Sequence, residues 1–164
     1  MGIRHVMVLV VTGVLVGACS TASNSPGQGN SVAGGGSVAP GSSAAAGATV
    51  AAAMKEWSIT LDPATGTAGA LTFNIANNGS FTHEFIVVKT DLADDKLPTK
   101  ADGSVDQSDP QLTAVDEKED IAAGSTDNTL AVTLTPGQYV VFCNLVVSGT
   151  SHYAQGLHTS FTVN

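Results

Sequence analysis

The chain has 164 residues, with 14 acidic and six basic side chains, a formal net charge of −8 at pH 7, an apolar fraction of 43% and only 5% aromatics. That length holds one compact domain with extensions. An acidic chain without a basic stripe argues against nucleic-acid binding, and it would be repelled by anionic lipid heads.

Charge is unevenly spread. No Asp, Glu, Lys or Arg occurs between Arg4 and Lys55, while all 14 acids and five of the six bases lie in 55–164. Arg4 precedes an uncharged, mostly apolar run, Val6 to Ala18. As a helix this run would reach about 20 Å, too short for a hydrocarbon core of roughly 30 Å, so it reads as an export signal. It ends in Leu15-Val16-Gly17-Ala18-Cys19, which resembles the bacterial lipoprotein signal. The resemblance implies cleavage after residue 18, a palmitate-type lipid on Cys19, and a protein anchored to the cell membrane and facing outside the cytoplasm. Two or three acyl chains suffice for stable anchoring.

Ser20 to Ala53 is mostly Ser, Gly, Ala and Asn, with Pro26, Pro40 and no aromatic. Such a segment buries too little to offset its ordering entropy, so residues 19–53 are expected to form a flexible tether. A brief helical turn within Ala44–Met54 is its only expected local structure. The folded domain is expected over 54–164.

From Lys55 the texture changes to short β-type runs. Trp57 to Leu61 alternates apolar and polar residues and is broken by Asp62-Pro63; Leu71 to Ile75 alternates and ends at Asn77-Asn78-Gly79-Ser80. Phe85 to Val88 is continuously apolar, Leu130 to Leu134 alternates, Pro136-Gly137 leads into Gln138–Cys143, and Phe161 to Val163 closes the chain. Period-2 runs with Gly/Pro punctuation predict an all-β, Greek-key antiparallel β-sandwich. Residues 91–127, holding 11 of the 14 acids, read as a long solvated acidic connection with at most short strands or a helical turn. Long connections of this kind are often docking surfaces.

With Cys19 assigned to lipid, Cys143 is alone. It is then buried and inert, intermolecular, or a metal ligand. Its position favours the last, since it ends a strand and precedes a loop bearing His152. Thr82-His83-Glu84-Phe85-Ile86-Val87-Val88 resembles the N-terminal ligand strand of the cupredoxins, the plastocyanin, azurin and sulfocyanin relatives. Pro136 to Asn144, followed by His152-Tyr153-Ala154-Gln155-Gly156-Leu157, resembles their C-terminal ligand loop. The resemblance implies a cupredoxin-like domain with one copper, His83 and His152 as imidazole ligands and Cys143 as the thiolate. A His₂Cys set suits a copper ion that cycles between two oxidation states.

Two departures stand out. Eight residues, Asn144 to Ser151, separate the cysteine from the second histidine, which is longer than the family pattern, and they would form an outward flap or a docking edge. Leu157 occupies the position where the family usually has an axial methionine. The fourth position is then empty, or filled by Glu84 (as in the carboxylate-bearing nitrosocyanin), or filled by His158. Strand alternation points Glu84 away from the face of His83, which favours a supporting role.

Three functions fit the pattern. The first is one-electron transfer with no substrate chemistry, to an unidentified redox partner protein, by a monomeric head. The second is copper carriage or sequestration, although exposed Met or His clusters for ligand exchange are lacking. The third is a small redox enzyme needing an open coordination site. Zinc would also accept the donor set. No hydrolase triad or phosphate-binding loop stands out, and the three histidines that follow the expected signal peptide are too few for a trinuclear copper cluster.

Overall fold

The computed structural model describes residues 47–164, and the expected signal peptide, Cys19 and most of the tether lie outside them. Eleven strands follow in order: β1 Ala48–Lys55, β2 Ser58–Asp62, β3 Thr65–Gly66, β4 Gly69–Asn77, β5 His83–Lys89, β6 Thr113–Ile121, β7 Asn128–Leu134, β8 Gly137–Phe142, β9 Val146–Val147, β10 Thr150–Ser151 and β11 His158–Val163. One sheet has the order β2-β1-β4-β7, the other β3-β11-β8-β5-β6, and β9 and β10 form a separate hairpin.

The inner faces of the two sheets enclose the main core. Phe73 of β4 meets Phe85 of β5 at 5.1 Å between ring centroids and Phe161 of β11 at 5.5 Å. Val50, Met54, Leu71, Ile75, Val87, Val141, Cys143 and Leu157 are buried in the same cluster. The chain crosses repeatedly between the sheets, as in a Greek-key sandwich. Pairing is not purely antiparallel, however. β1 runs parallel to β4 and β3 runs parallel to β11, which corrects the antiparallel expectation for these two contacts. Both partners in each case are joined through other elements, so no hairpin turn forces them antiparallel.

Two segments depart from the sequence reading. The first is the Ala-rich stretch expected to turn briefly helical at the end of the tether. It is strand β1, which starts six residues before the expected boundary at 54 and pairs with both β2 and β4. Val50, Ala52 and Met54 alternate inward. Alanines occupy both faces, so the alternation is steric and barely visible as hydrophobicity.

The second is the acidic connection. It contains a nine-residue strand, β6, at the edge of the second sheet, and its preceding part, although largely solvated as expected, also turns apolar side chains inward. Leu97, Val105 and Leu112 are buried in a second cluster with Ile86, Val88, Val140, Phe142 and Tyr153. The continuous apolar run of β5 explains this arrangement, because Phe85 and Val87 face the sandwich core while Ile86 and Val88 need cover on the other side. That cover is residues 91–112, tied by Tyr153 Oη, which donates to the Asp94 carbonyl (2.8 Å) and accepts from the Leu97 amide (3.0 Å).

Candidate metal centre

Register places three donors at one end of the second sheet. β5 begins with His83, β8 ends at Phe142 just before Cys143, and β11 begins opposite Phe142. Ile86 pairs with Phe142, so Cys143 falls level with Phe85, and its Sγ reaches the Glu84 amide beside His83. The segment from Cys143 to Leu157 is the connection between neighbouring strands β8 and β11 and carries His152 back over the sheet end. The Cys143 amide donates to the Leu157 carbonyl (3.0 Å), and the Leu157 amide donates to the His152 carbonyl (3.1 Å).

The three side chains converge. His83 Nδ1 lies 3.2 Å from His152 Nδ1, Cys143 Sγ lies 3.3 Å from His152 Nδ1 and 3.9 Å from His83 Nδ1. A point equidistant from these atoms is about 2 Å from each, within the roughly 2.0–2.3 Å of metal–imidazole and metal–thiolate bonds. Among the described residues, they form a buried group able to hold a metal ion. Two imidazoles and a thiolate suit copper or zinc rather than hard cations, which prefer oxygen.

Burial sets the protonation states. It depresses both imidazoles, His83 despite the opposing pull of Glu56 and His152 with added repulsion from His83. Both therefore stay neutral, as ligands must. Burial also pushes the Cys143 thiol up to about 11, so metal must displace a proton to bind.

The supporting contacts come from well-separated elements. The Glu84 amide donates to Cys143 Sγ at 3.4 Å, and the Glu84 carboxylate accepts from the Asn144 amide at 2.7 Å. Burial raises the Glu84 carboxyl, helped by Glu117, Glu119 and Asp120, while the Asn144 amide opposes the shift. Glu84 thus bridges the ligand strand and ligand loop, and its carboxylate lies outside the three-donor group. His158 is also outside that group: its Nδ1 sits 2.9 Å from Asp94 Oδ2 and its ring packs on Tyr153. Leu157 is fully buried in the main core beside Cys143. Asn144 pairs with both backbone groups of Val105, and Ser151 Oγ donates to the Gly103 carbonyl at 2.8 Å. The covering connection thereby braces the ligand loop.

The eight-residue spacer folds into the β9–β10 hairpin, turned by Ser148 (φ 52°) and Gly149 (φ 78°). Two successive positive φ values suit a two-residue turn between twisted strands. Val147 of the hairpin, Phe81 and Trp57 surround a depression of about 250 Å³ that reaches His152. Trp57 meets the His152 ring at 5.0 Å and stacks on Phe81 at 6.0 Å. Phe81 and Val147 are each 52% exposed. Sequence reasoning missed this apolar rim and also missed Glu56, because both form only when the β1–β2 turn, the β4–β5 turn and the hairpin meet in space.

A two-sheet all-β frame with one histidine opening a strand, a cysteine closing another and a histidine in the following loop has the form that the resemblance implied. Solved structures that align with this chain include an auracyanin from the photosynthetic bacterium Roseiflexus castenholzii, with 22% identity and a TM-score of 0.48 over 72% of this chain and 99% of that one. Auracyanin A from Chloroflexus aurantiacus, described as a "blue" copper protein, has 22% identity and a TM-score of 0.46 over 71% of this chain and 98% of that one. Rusticyanin from Thiobacillus ferrooxidans has 19% identity and a TM-score of 0.46 over 71% and 76%. No family model matches the sequence, and no curated protein matches it.

Proposed function

We propose that this domain is a one-electron carrier using a single copper ion held by His83, Cys143 and His152, and that lipid on Cys19 tethers it outside the cytoplasm. The supporting observation is the three-donor group itself, preorganised 3.2–3.9 Å apart and wholly buried. Bound there, copper supplies a reversible Cu(I)/Cu(II) couple. The strand ends and the Asn144, Ser151 and Glu84 contacts keep the donors in place, so either oxidation state meets the same geometry and little rearrangement opposes electron transfer. Zinc prefers four tetrahedral ligands, and three donors are gathered here among the described residues.

Burial also separates carriage of electrons from carriage of copper. His83, His152 and Cys143 are at most 2% exposed, which hinders the stepwise ligand exchange a copper carrier needs. Electrons need only an edge near the surface, and His152 lies beneath the Trp57–Phe81–Val147 rim. A redox partner docking on that rim is part of this reading. The test is titration of the metal-free protein with Cu(II) and Zn(II), followed by voltammetry. Uptake of one copper with reversible one-electron waves is expected. Exclusive zinc uptake, or copper that leaves on each reduction, would contradict the proposal. The anchor is tested by Cys19→Ala, which should release the protein from the membrane fraction or leave it unprocessed.

A further inference from the structure

His83 presents Nδ1 to the other two donors, so a metal bound there would leave its remaining proton on Nε2. That Nε2 is fully buried and has no hydrogen-bond partner, a costly state for a donor. The Glu56 carboxylate oxygen Oε1 stands 3.4 Å away, slightly beyond ordinary hydrogen-bond length. It is held there by two backbone amides, Ser80 and Phe81, each donating to Oε1 at 2.8 Å. Gly79 supplies an independent constraint, because a Cβ at this position would collide with the Glu56 carboxylate. The β4–β5 turn is therefore shaped around the carboxylate, on the very segment that leads into His83.

We propose that Glu56 is the positioning residue of the metal centre: it accepts a hydrogen bond from the His83 Nε2–H, fixes the tautomer that turns Nδ1 toward the metal, and places a negative charge behind that ligand. This inference rests on the copper reading for its electrochemical part and on the protein alone for the tautomer. The Glu56 carboxylate sits at the protein surface side of the turn with two amide donors on one oxygen, an arrangement that suits its charged form. The side chain is thus anionic at neutral pH. Metal-ligating histidines commonly pass their second N–H to such an acceptor, which orients the ring and makes it a better donor. An anion behind His83 favours the more highly charged Cu(II) and lowers the reduction potential.

The experiment uses the full chain and two variants. Glu56→Gln keeps an oxygen for the Ser80 and Phe81 amides but removes the charge, while Glu56→Ala removes both. In the metal-free protein, nitrogen-15 NMR should show His83 as the Nε2–H tautomer, giving way to a mixture in Glu56→Ala. In the copper-loaded protein, Glu56→Gln should shift the one-electron equilibrium at least tenfold toward Cu(I), a rise of about 59 mV. Gly79→Ala, which displaces the carboxylate without removing it, should move the potential in the same direction. Unchanged tautomers in Glu56→Ala together with an unchanged potential in Glu56→Gln would overturn the proposal. Failure of the native chain to bind copper would instead refute the electron-carrier reading, and the tautomer measurement would still decide the Glu56 contact.

Discussion

Cys143 is held as a thiol by burial, and this has a consequence for stability. A thiol that titrates normally near 9.0 in the unfolded chain and at about 11 in the fold keeps its proton in the native state where the unfolded state has lost it. Its contribution is complete below pH 9 and disappears as pH rises towards 11. In the metal-free protein, stability should therefore fall across this window by on the order of 3 kcal/mol more in the native chain than in Cys143→Ser, measured by urea unfolding. Parallel pH profiles would show that the sulfur is more solvated than the structure has it. At the axial position that the resemblance implies, Leu157 would matter through what it withholds. A buried leucine donates no electron density to Cu(II), whereas a methionine thioether would. Leu157→Met should lower the potential by at least about 59 mV, a tenfold shift in a one-electron equilibrium. An unshifted potential would mean that another group already stabilises the oxidised ion.

Among elements, β1 carries the largest lesson. It lies between β2 and β4 and buries Met54 completely, so Met54→Ala should cost about 2–5 kcal/mol in unfolding experiments. In a flexible tether the same change would cost nothing. The alternating strands β2, β4 and β7 were legible because polar and apolar residues take turns along them. β1 was not, since its outward residues are also alanines. Nor was β6, whose Thr113–Ile121 run carries charges where a core-facing pattern would show apolar residues. As an edge strand it borders a partner on one side only, and its acids guard the open edge. The ligands His83, Cys143 and His152 were readable because each sits at a strand end or in the next loop. Glu56 was not, because its contact with His83 spans the distance between two turns and has no local pattern. The β9–β10 hairpin gives a separate prediction. Val147→Ser should slow electron self-exchange, followed by NMR on mixed Cu(I)/Cu(II) samples, and leave the potential unchanged. An unaltered rate would place the route of the electron away from the Trp57–Phe81–Val147 rim.

At the scale of the whole molecule, two sheets, an apolar cover formed by residues 91–112 and a braced ligand loop combine to hold three donors rigidly while the outer surface stays acidic. The sandwich core supplies the stability, so the site is built before any metal arrives. For that reason Cys143→Ser should keep the fold, so that its chemistry can be tested in isolation. The most direct test is the visible absorption spectrum of the Cu(II)-loaded protein beside that of Cys143→Ser, with circular dichroism confirming that both are folded. The account predicts an intense thiolate-to-copper charge-transfer band at one copper per native chain and none in the variant. A native chain that folds but binds copper without this band, or a variant that keeps it in full, would contradict the assignment of the centre to His83, Cys143 and His152.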